Sequence, residues 1–402
     1  MSNNTETLNK MKDTMKDSLN NLKNNPNTQK ILNRIDKDKE KLLYIFKTYP
    51  LVILSIIFIV IFVYVYFKFF FNRINRFMNR MSEYKVDLLP FTEIKGVGDR
   101  TKNYKLCDFY VASSYKSYLP CTNYYDYASI QSITECIKYG ARYIDLDIMC
   151  KDFSSCAEPV VCNGDEVGNW QYTNALDLNE VLTTITKTAF SASSVKNPTD
   201  PLFINFNFKT WGNKITIDKT AKIIKKSIIH RLLSKKYSFQ GRFTNTNIAL
   251  TSIRSFEGKI IILSTGDISD TKMDELTNMH SKVYNFRDLT YSQLKDTYDA
   301  QENMEFNKKN FTRVIPDFKN RWKDNFNYFT PYYLGCQFIC MNYTEPTDFM
   351  KSYIKRFSKH SFILKPYKLR YHPVAVKQPL QQTKKVSFAP KKVTTPMYSI
   401  TY

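Results

Sequence analysis

Few residues of this sequence combine the side-chain type and the spacing that acid/base catalysis or metal binding needs. Histidine is the usual proton-transfer residue near neutral pH. Structural or surface roles are the default for the four in the chain, which are His230, His280, His360 and His372. Two carboxylates are better placed, because Asp145 and Asp147 are two residues apart in "ARYIDLDIM". In a strand, that spacing puts both carboxylates on one face.

The eight cysteines show no paired spacing of the kind that binds a metal. Cys336 and Cys340 lie in an apolar, strand-like run. We expect buried free thiols, and disulfides remain the alternative if the domain faces an oxidising space.

The longest apolar run, "LVILSIIFIVIFVYVYF", covers Leu51 to Phe67 without a charge. At ~1.5 Å per residue, a helix over 48–71 would cross a hydrocarbon core of roughly 30 Å. A helix of a soluble protein is rarely apolar on every face, and a secretory signal would begin nearer the terminus. We therefore predict a single-pass transmembrane helix at 48–71. Basic residues flank both ends, so the positive-inside rule leaves its orientation open.

The formal net charge of +22 is unevenly distributed. After Asp348 there is no Asp or Glu, whereas twelve Lys or Arg follow. Residues 371–402 are rich in Pro, Lys and Thr, which is typical of a flexible tail. We expect this basic tail to bind anionic lipid, nucleic acid or an acidic protein. The alternative is a solvated end without a dedicated ligand.

Short apolar runs alternate with amphipathic ones from about residue 105, as in "PLFINFNF" followed by "IDKTAKIIKKSIIHRLLSKK". This alternation predicts a parallel sheet covered by helices. Roughly eight strands over this length favour a closed α/β barrel of the TIM type. Before the barrel we expect a polar, partly helical segment at 1–47, with a short amphipathic helix over 8–22 or a frayed arm there. We expect a juxtamembrane linker at 72–104.

The order of motifs resembles the phosphoinositide-specific phospholipase C family in its X half. "ASSYKSYL" stands where the family has Ser-Ser-His-Asn-Thr-Tyr-Leu, and "KYGARYIDLDIM" stands at its Glu-Leu-Asp strand. "EPVVCNG", "DPLFINFNF" and "FEGKIIILSTGD" are similar to the strands that follow in the family. The resemblance implies an X-like half barrel at 105–266.

The family's Y half is also represented. "TRVIP", "NYFTPYYLGCQF" and "SFILKPYKLR" resemble its Arg-(apolar)-Tyr-Pro, Asn-Tyr-x-Pro, Gly-Cys-Gln and Leu-Lys-Pro motifs. The resemblance implies a Y-like half barrel at 291–370, joined to the X-like half by a connector at 267–290. Both halves together imply a TIM-like barrel.

The resemblance implies two catalytic histidines, and neither is present. Their positions hold Tyr115 and Asn163. A phenol with a pKa of ~10 is mostly neutral at pH 7, and an amide does not shuttle protons. Each acid/base group contributes ~10² to 10⁴ in rate, so we expect most activity to be lost.

The family's single Ca²⁺ site is implied to be altered at two of four ligands. Its positions read Lys116, Asp145, Asp147 and Asn207. One hypothesis is that Lys116 pairs with the two carboxylates and fills the cation site with a tethered charge. The alternative is a distorted site that still binds Ca²⁺ weakly. No cofactor is expected under the first hypothesis, and Ca²⁺ is expected under the second.

Headgroup recognition is implied to be reduced as well. The family's two phosphate-contacting lysines correspond to Leu263 and Thr265, and its platform tyrosine corresponds to Ile315. Arg313 matches its phosphate-binding arginine, and Ser292 is a looser match to a polar contact.

These features predict a membrane-anchored, catalytically degenerate phospholipase C-like protein that acts as a binding or structural module. One alternative is a divergent phosphodiesterase that uses Asp145 or Asp147 with Lys116 as electrostatic stabiliser. Another is a nucleic-acid-associated membrane protein that uses the tail. The high Asn, Lys, Ile, Tyr and Phe content suits an AT-rich genome, for which a large DNA virus is one candidate. The membrane would then be an internal membrane of the host or the virion.

Overall fold

The computed structural model describes part of the chain, namely residues 15–16, 25–99, 103–120, 127–165, 168–281, 285–297, 299–317, 325–373 and 389–402. This chain forms two compact units, Met1–Asn75 and Arg76–Tyr402. Of the helix predicted over 8–22, only Met15 and Lys16 fall in the described part, and both are helical.

The first unit is helical. Helix α1 covers Pro26–Thr48 and begins with proline at its first position, where no backbone N–H is needed. Helix α2 covers Pro50–Met81, so it is longer than the predicted span of 48–71. By length and composition, α2 is the one described helix that could cross a membrane. Its apolar side chains from Leu54 to Phe67 are exposed.

The segment expected to be a linker, 72–104, is largely part of the second unit. Phe77, Met81, Tyr84 and Phe91 are buried in its core. Backbone hydrogen bonds also join this segment to the chain before the last barrel strand, from Leu89 N to Lys359 O at 2.7 Å. Phe77 and Met81 are four residues apart on α2, whereas Tyr84 and Phe91 lie beyond its end. These are single apolar residues among charged ones, so no continuous pattern in the sequence indicates their burial.

The second unit is built on a sheet whose strands follow the apolar runs of the sequence. In chain order they are β1 Phe109–Ser114, β2 Tyr143–Cys150, β3 Pro159–Gly164, β4 Gln171–Asp177, β5 Leu202–Lys209, β6 Ile260–Thr265, β7 Met279–His280, β8 Phe286–Thr290, β9 Phe311–Ile315, β10 Phe338–Met341 and β11 Phe362–Leu364. A separate hairpin is formed by β12 Lys392–Thr394 and β13 Ser399–Thr401.

Eight strands are arranged in the order β7-β6-β5-β2-β1-β10-β9-β8, and all neighbours in this order are parallel. In the described part of the chain, no hydrogen-bonded ladder joins β7 to β8. β11 pairs antiparallel with β1, and β3 extends the sheet antiparallel from β2 towards β4. The predicted parallel TIM-like barrel is confirmed.

Helices alternate with these strands. They are α3 Ile130–Lys138, α4 Leu178–Ala189, α5 Lys214–Ile228, α6 Phe239–Phe243, α7 Tyr291–Lys295, α8 Ala300–Lys309, α9 Phe329–Tyr333 and α10 Asp348–Arg356. Several of them begin at a capping side chain: Asp177 accepts from Glu180 N at α4, and Asn213 accepts from Thr216 N at α5. Their apolar faces cover the outer face of the sheet.

Strand residues alternate between two cores. In β2, Ile144, Leu146 and Ile148 belong to the core beneath the helices, whereas Tyr143 belongs to the barrel interior. Phe203 and Phe338 also lie inside, with ring centroids 4.8 Å apart. Because the period of a strand is two, the side chains that follow these rings on the inner face lie towards the carboxyl end of the barrel.

Two boundaries differ from the prediction. The connector expected at 267–290 contains β7 and β8, and β8 pairs with β9 along its whole length. The tail expected to be flexible contains the β12–β13 hairpin, whose residues are exposed. Its β-branched alternation, Lys-Val-Thr and Ser-Ile-Thr, explains the pairing. The rest of the tail, 374–388, lies outside the described residues.

Candidate functional site

The two carboxylates of β2 lie at the carboxyl end of the barrel interior. Their side chains are almost completely buried. In the register of β2 with β5, Asp145 is opposite Asn205 and Asp147 is opposite Asn207. Each amide donates to the carboxylate beside it, at 2.8 Å for Asn205 and 2.9 Å for Asn207. The cross-strand register therefore fixes both carboxylates.

Asp147 is bound by two ammonium groups. Lys209 Nζ lies 3.0 Å from Asp147 Oδ2 and Lys116 Nζ lies 3.5 Å from the same oxygen. The side chains of Lys209 and Asp147 are 3% and 1% exposed, so this ion pair is shielded from solvent. Tyr118 Oη also donates to Oδ2 at 2.9 Å. One carboxylate oxygen thus faces three donors.

The electrostatics of Asp147 follow from this arrangement. Burial alone would raise the pKa of the Asp147 carboxyl, but the charges of Lys209 and Lys116 outweigh it and hold the pKa well below its ordinary value. Asp147 is therefore ionised at neutral pH. Because its folded-state pKa is depressed, its contribution to stability is present above the unfolded-state value of ~3.9 and is lost only as the pH falls below that.

Lys116 reaches both carboxylates from the loop after β1. Its backbone N–H donates to Asp145 Oδ2 at 3.3 Å, while its ammonium lies beside Asp147. The ammonium also donates to Asn163 Oδ1 on β3 at 3.4 Å. Lys116 has a φ of +42°, in the left-handed region that non-glycine residues seldom adopt. The loop is thus held in a strained conformation that directs the lysine into the site.

Asp145 is bound by an arginine from the opposite side of the barrel. Arg313 on β9 lies 3.5 Å from Asp145 Oδ1 and 3.3 Å from Asp288 Oδ2 on β8. The same guanidinium donates to Thr265 Oγ1 at 3.0 Å. The Arg313 side chain is 2% exposed. It therefore connects β2, β6, β8 and β9 across the barrel interior.

Burial has opposite effects on the pKa values of Asp288 and Arg313. Burial raises the pKa of Asp288, and Arg313 offsets only part of that rise. Burial would lower the pKa of Arg313, but Asp288, Tyr143 and Asp145 raise it well above its ordinary value. Arg313 is therefore a permanent cation held between two carboxylates.

This donor set does not fit a calcium ion. Ca²⁺ takes six to eight oxygen ligands, usually carboxylates and carbonyls. Here amide N–H, phenol O–H and ammonium groups point at the carboxylate oxygens and use their lone pairs. In the described part of the chain, no three His, Cys, Asp or Glu side chains are grouped so that they could hold a metal ion.

The structure brings most of the predicted positions together, but not all. Asn163 is buried beside Lys116, and Tyr115 follows β1 half-buried against the barrel interior. Ser292 lies apart: it is exposed in the first turn of α7 and its hydroxyl donates to Asp317 at 2.8 Å. His280, His360 and His372 contact backbone carbonyls outside this site, and His230 is exposed in a short 3₁₀ turn. This placement agrees with structural or surface roles.

Four residues of the site were not predicted from the sequence: Asn205, Lys209, Asp288 and Tyr118. The first two alternate with Asn207 along β5, and Asp288 is two residues after the interior residue Phe286 on β8. The period of two was therefore a usable signal for all three. Tyr118 is in a loop, where no such period applies.

Comparison with known proteins agrees with this architecture. Residues 102–265 match the family model for the phosphatidylinositol-specific phospholipase C, X domain. The protein named inactive phospholipase C-like protein 1 from Rattus norvegicus is 21% identical over 342 residues, which cover 75% of this chain and 30% of that protein.

Solved structures share the fold. The crystal structure of PLC21 from L. pealei superimposes with a TM-score of 0.55 at 16% identity, and that of PLC21 from S. officinalis with 0.53 at 15%. Each match covers 67% of this chain and 38% of the other. The chain thus spans about a third of the length of these relatives. Residues 102–265 are thus similar to the X domain of the phosphatidylinositol-specific phospholipase C family, and the barrel has the fold of these solved structures.

Proposed function

We propose that this chain is a membrane-anchored phospholipase C-like module that does not hydrolyse phosphodiesters and has a binding or structural role at the membrane. One observation supports the proposed loss of activity. The ammonium groups of Lys209 and Lys116 both lie against Asp147, at the carboxyl end of the barrel interior. The family resemblance implies that a metal ion would be needed at this carboxylate.

Proton transfer would also be impaired. Tyr115 and Asn163 stand where the resemblance implies histidines. The amide oxygen of Asn163 accepts a hydrogen bond from the ammonium group of Lys116. A titrating group that accepted this hydrogen bond would be held in its deprotonated form. Without a group that titrates near neutral pH, neither deprotonation of the nucleophile nor protonation of the leaving group is assisted.

The proposal includes the absence of bound calcium. The formal charges of the three cations equal those of the three carboxylates: Lys116 and Lys209 contact Asp147, and Arg313 lies between Asp145 and Asp288. A divalent cation would add two charges to a buried and already neutral group. Because burying an uncompensated charge costs several kcal/mol, we expect the site to exclude Ca²⁺.

Membrane anchoring rests on α2, whose length and apolar composition suit a single span. The basic end of the chain would add electrostatic attraction to an anionic lipid surface, with an acidic protein or nucleic acid as other partners. The membrane would be an internal membrane of a host cell or a virion, a proposal supported by the high Asn, Lys, Ile, Tyr and Phe content of the chain.

The decisive test is an assay for hydrolysis. We expect the full chain, reconstituted in vesicles with phosphatidylinositol and its bisphosphate, to release no soluble inositol phosphate above the protein-free background, with Ca²⁺ or with chelator. The full chain is needed because Phe77 and Met81 of α2 are buried in the barrel unit.

Two variants make the result interpretable. Calcium-dependent release that disappears in Asp145→Asn would contradict the proposal and restore a metal-dependent enzyme. Calcium-independent release that requires Lys116, tested with Lys116→Met, would instead favour the divergent phosphodiesterase in which that lysine stabilises developing charge.

A further inference from the structure

A cavity of about 470 Å³ lies outside the charged site, between the loops that follow β2 and β5 and the start of β4. This size is in the range of small-molecule pockets. Three large aromatic side chains line it, Phe153, Trp170 and Trp211. They are 73%, 65% and 59% exposed, so they contribute little to the core. Folding alone does not explain why three such rings border one cavity.

Phe153 and Trp211 contact each other edge to face, an arrangement that leaves each ring at least one face not covered by the other ring. The centroids of Phe153 and Trp211 are 5.8 Å apart and their planes are inclined by 70°. The face of an aromatic ring carries partial negative charge and attracts cations, most strongly in tryptophan. Clusters of ring faces are the usual receptors of quaternary ammonium groups.

The loops that present the rings are held in place. Asp165 Oδ1 accepts from the backbone N–H of Gly168 at 2.7 Å and of Trp170 at 3.2 Å. The side-chain amide of Asn213 donates to Ser155 O at 3.2 Å, which joins the loop after β5 to the loop after β2. A receptor ordered in advance loses less entropy on binding.

Trp211 adds an independent observation. Its φ of +56° lies in the left-handed region, which is a real outlier for a bulky residue. Strain of this kind persists where the surrounding structure imposes it and is concentrated at functional sites. Here the strained backbone holds an exposed indole at the edge of the cavity.

The charged lining residues indicate the rest of the ligand. Asp152 and Lys151 both line the cavity, one of each sign. The side chain and backbone of Ser154 hydrogen-bond to Asp152 and lower its pKa, so the carboxylate is ionised. The chain's net charge of +22 would repel a simple organic cation, whereas a ligand whose cationic group is offset by its own phosphate is not repelled.

We propose that this cavity binds a phosphocholine group, with its trimethylammonium against Phe153, Trp170 and Trp211 beside Asp152, and its phosphate towards Lys151. The source we assign is the headgroup of a choline lipid, since the chain carries the apolar helix α2. Only this choice of source rests on the proposed membrane association. The binding of the group itself is independent of whether the barrel hydrolyses lipid.

The test uses the full chain in a choline-free maltoside detergent and follows the trimethyl protons of soluble phosphocholine by saturation-transfer NMR. We expect saturable binding. Phosphoethanolamine, which has the same charges without the methyl groups, should displace phosphocholine with about 5- to 10-fold lower affinity. Trp211→Ala and Trp170→Ala should each weaken phosphocholine binding by a similar factor, equivalent to ~1 kcal/mol for a cation–π contact.

Phe243→Ala is the matched control, because this ring is 77% exposed on α6 and does not line the cavity. Its affinity for phosphocholine should equal that of the unaltered chain. Equal affinity for phosphoethanolamine, or unchanged binding in both tryptophan variants, would overturn the proposal. Trp170→Phe and Trp211→Phe serve as second variants that retain an aromatic face.

A second measurement distinguishes the source of the group. The full chain is reconstituted in vesicles that contain phosphatidylcholine with an intact trimethylammonium group and a nitroxide on its acyl chain near the glycerol. We expect this lipid to quench the tryptophan fluorescence, and Trp170→Phe with Trp211→Phe to remove most of the quenching. Binding of soluble phosphocholine without such quenching would show that the site takes the free group, and would overturn the lipid assignment.

Discussion

Asp147→Asn should lower the free energy of unfolding by about 3–5 kcal/mol, because it leaves two ammonium groups facing a neutral amide in the barrel interior. Lys209 is the more affected of the two, since its side chain is 3% exposed against 14% for Lys116. The measurement is urea unfolding of the full chain in detergent, followed by near-ultraviolet circular dichroism.

Two further variants test whether charge, rather than packing, is responsible. Adding Lys209→Met to Asp147→Asn should restore at least half of the loss, because an apolar side chain of similar volume often replaces a buried ion pair without cost. Asp87→Asn is the matched control: it breaks an ion pair with Lys196 whose side chains are 76% and 70% exposed. Its unfolding midpoint should not change measurably, and an equally mild Asp147→Asn would contradict the account.

Arg313→Met should also lower the free energy of unfolding by about 3–5 kcal/mol at pH 8, since it leaves Asp145 and Asp288 buried without their cation. The loss should shrink as the pH falls. Burial already raises the pKa of Asp288, and removing Arg313 removes the charge that opposes that rise. A carboxyl with a raised folded-state pKa stabilises the fold below its unfolded pKa and loses that contribution as the pH rises through the folded value.

The corresponding measurement is urea unfolding at pH 5 and at pH 8. Arg287→Met provides a matched control from the neighbouring strand, because Arg287 pairs with Glu302 at a site where the two side chains are 32% and 48% exposed. We expect it to cost about 1 kcal/mol or less at either pH. A deficit in Arg313→Met that is the same at both pH values would contradict the carboxylate explanation.

The barrel could be predicted from the sequence because its strands are continuous apolar runs and its helices are amphipathic, which are strong local signals. The position of Asp145 and Asp147 on one strand face followed from the same period. The sequence left two hypotheses open, a Lys116 that pairs with both carboxylates or a distorted site that still binds Ca²⁺ weakly. In the structure the backbone N–H of Lys116 donates to Asp145, and its ammonium forms an ion pair with Asp147.

The neutralising partners were harder to predict. Lys209 and Asp288 share the inner face with predicted residues, yet only the register between strands shows which charge meets which. Arg313 reaches Asp145 from a strand more than 160 residues away in sequence, a contact that no local pattern contains. The burial of Phe77, Met81, Tyr84 and Phe91 was missed for a similar reason: it depends on the surface that these side chains cover.

The central claim is that the chain's own lysines occupy the place of a metal ion, and calorimetric titration of Ca²⁺ into the full chain in detergent tests it most directly. We expect no saturable heat up to millimolar Ca²⁺, and the appearance of saturable binding in a variant that combines Lys116→Asn, Lys209→Met and Asn207→Glu. Saturable binding by the unaltered chain, lost in Asp147→Asn while that variant remains folded, would contradict the claim.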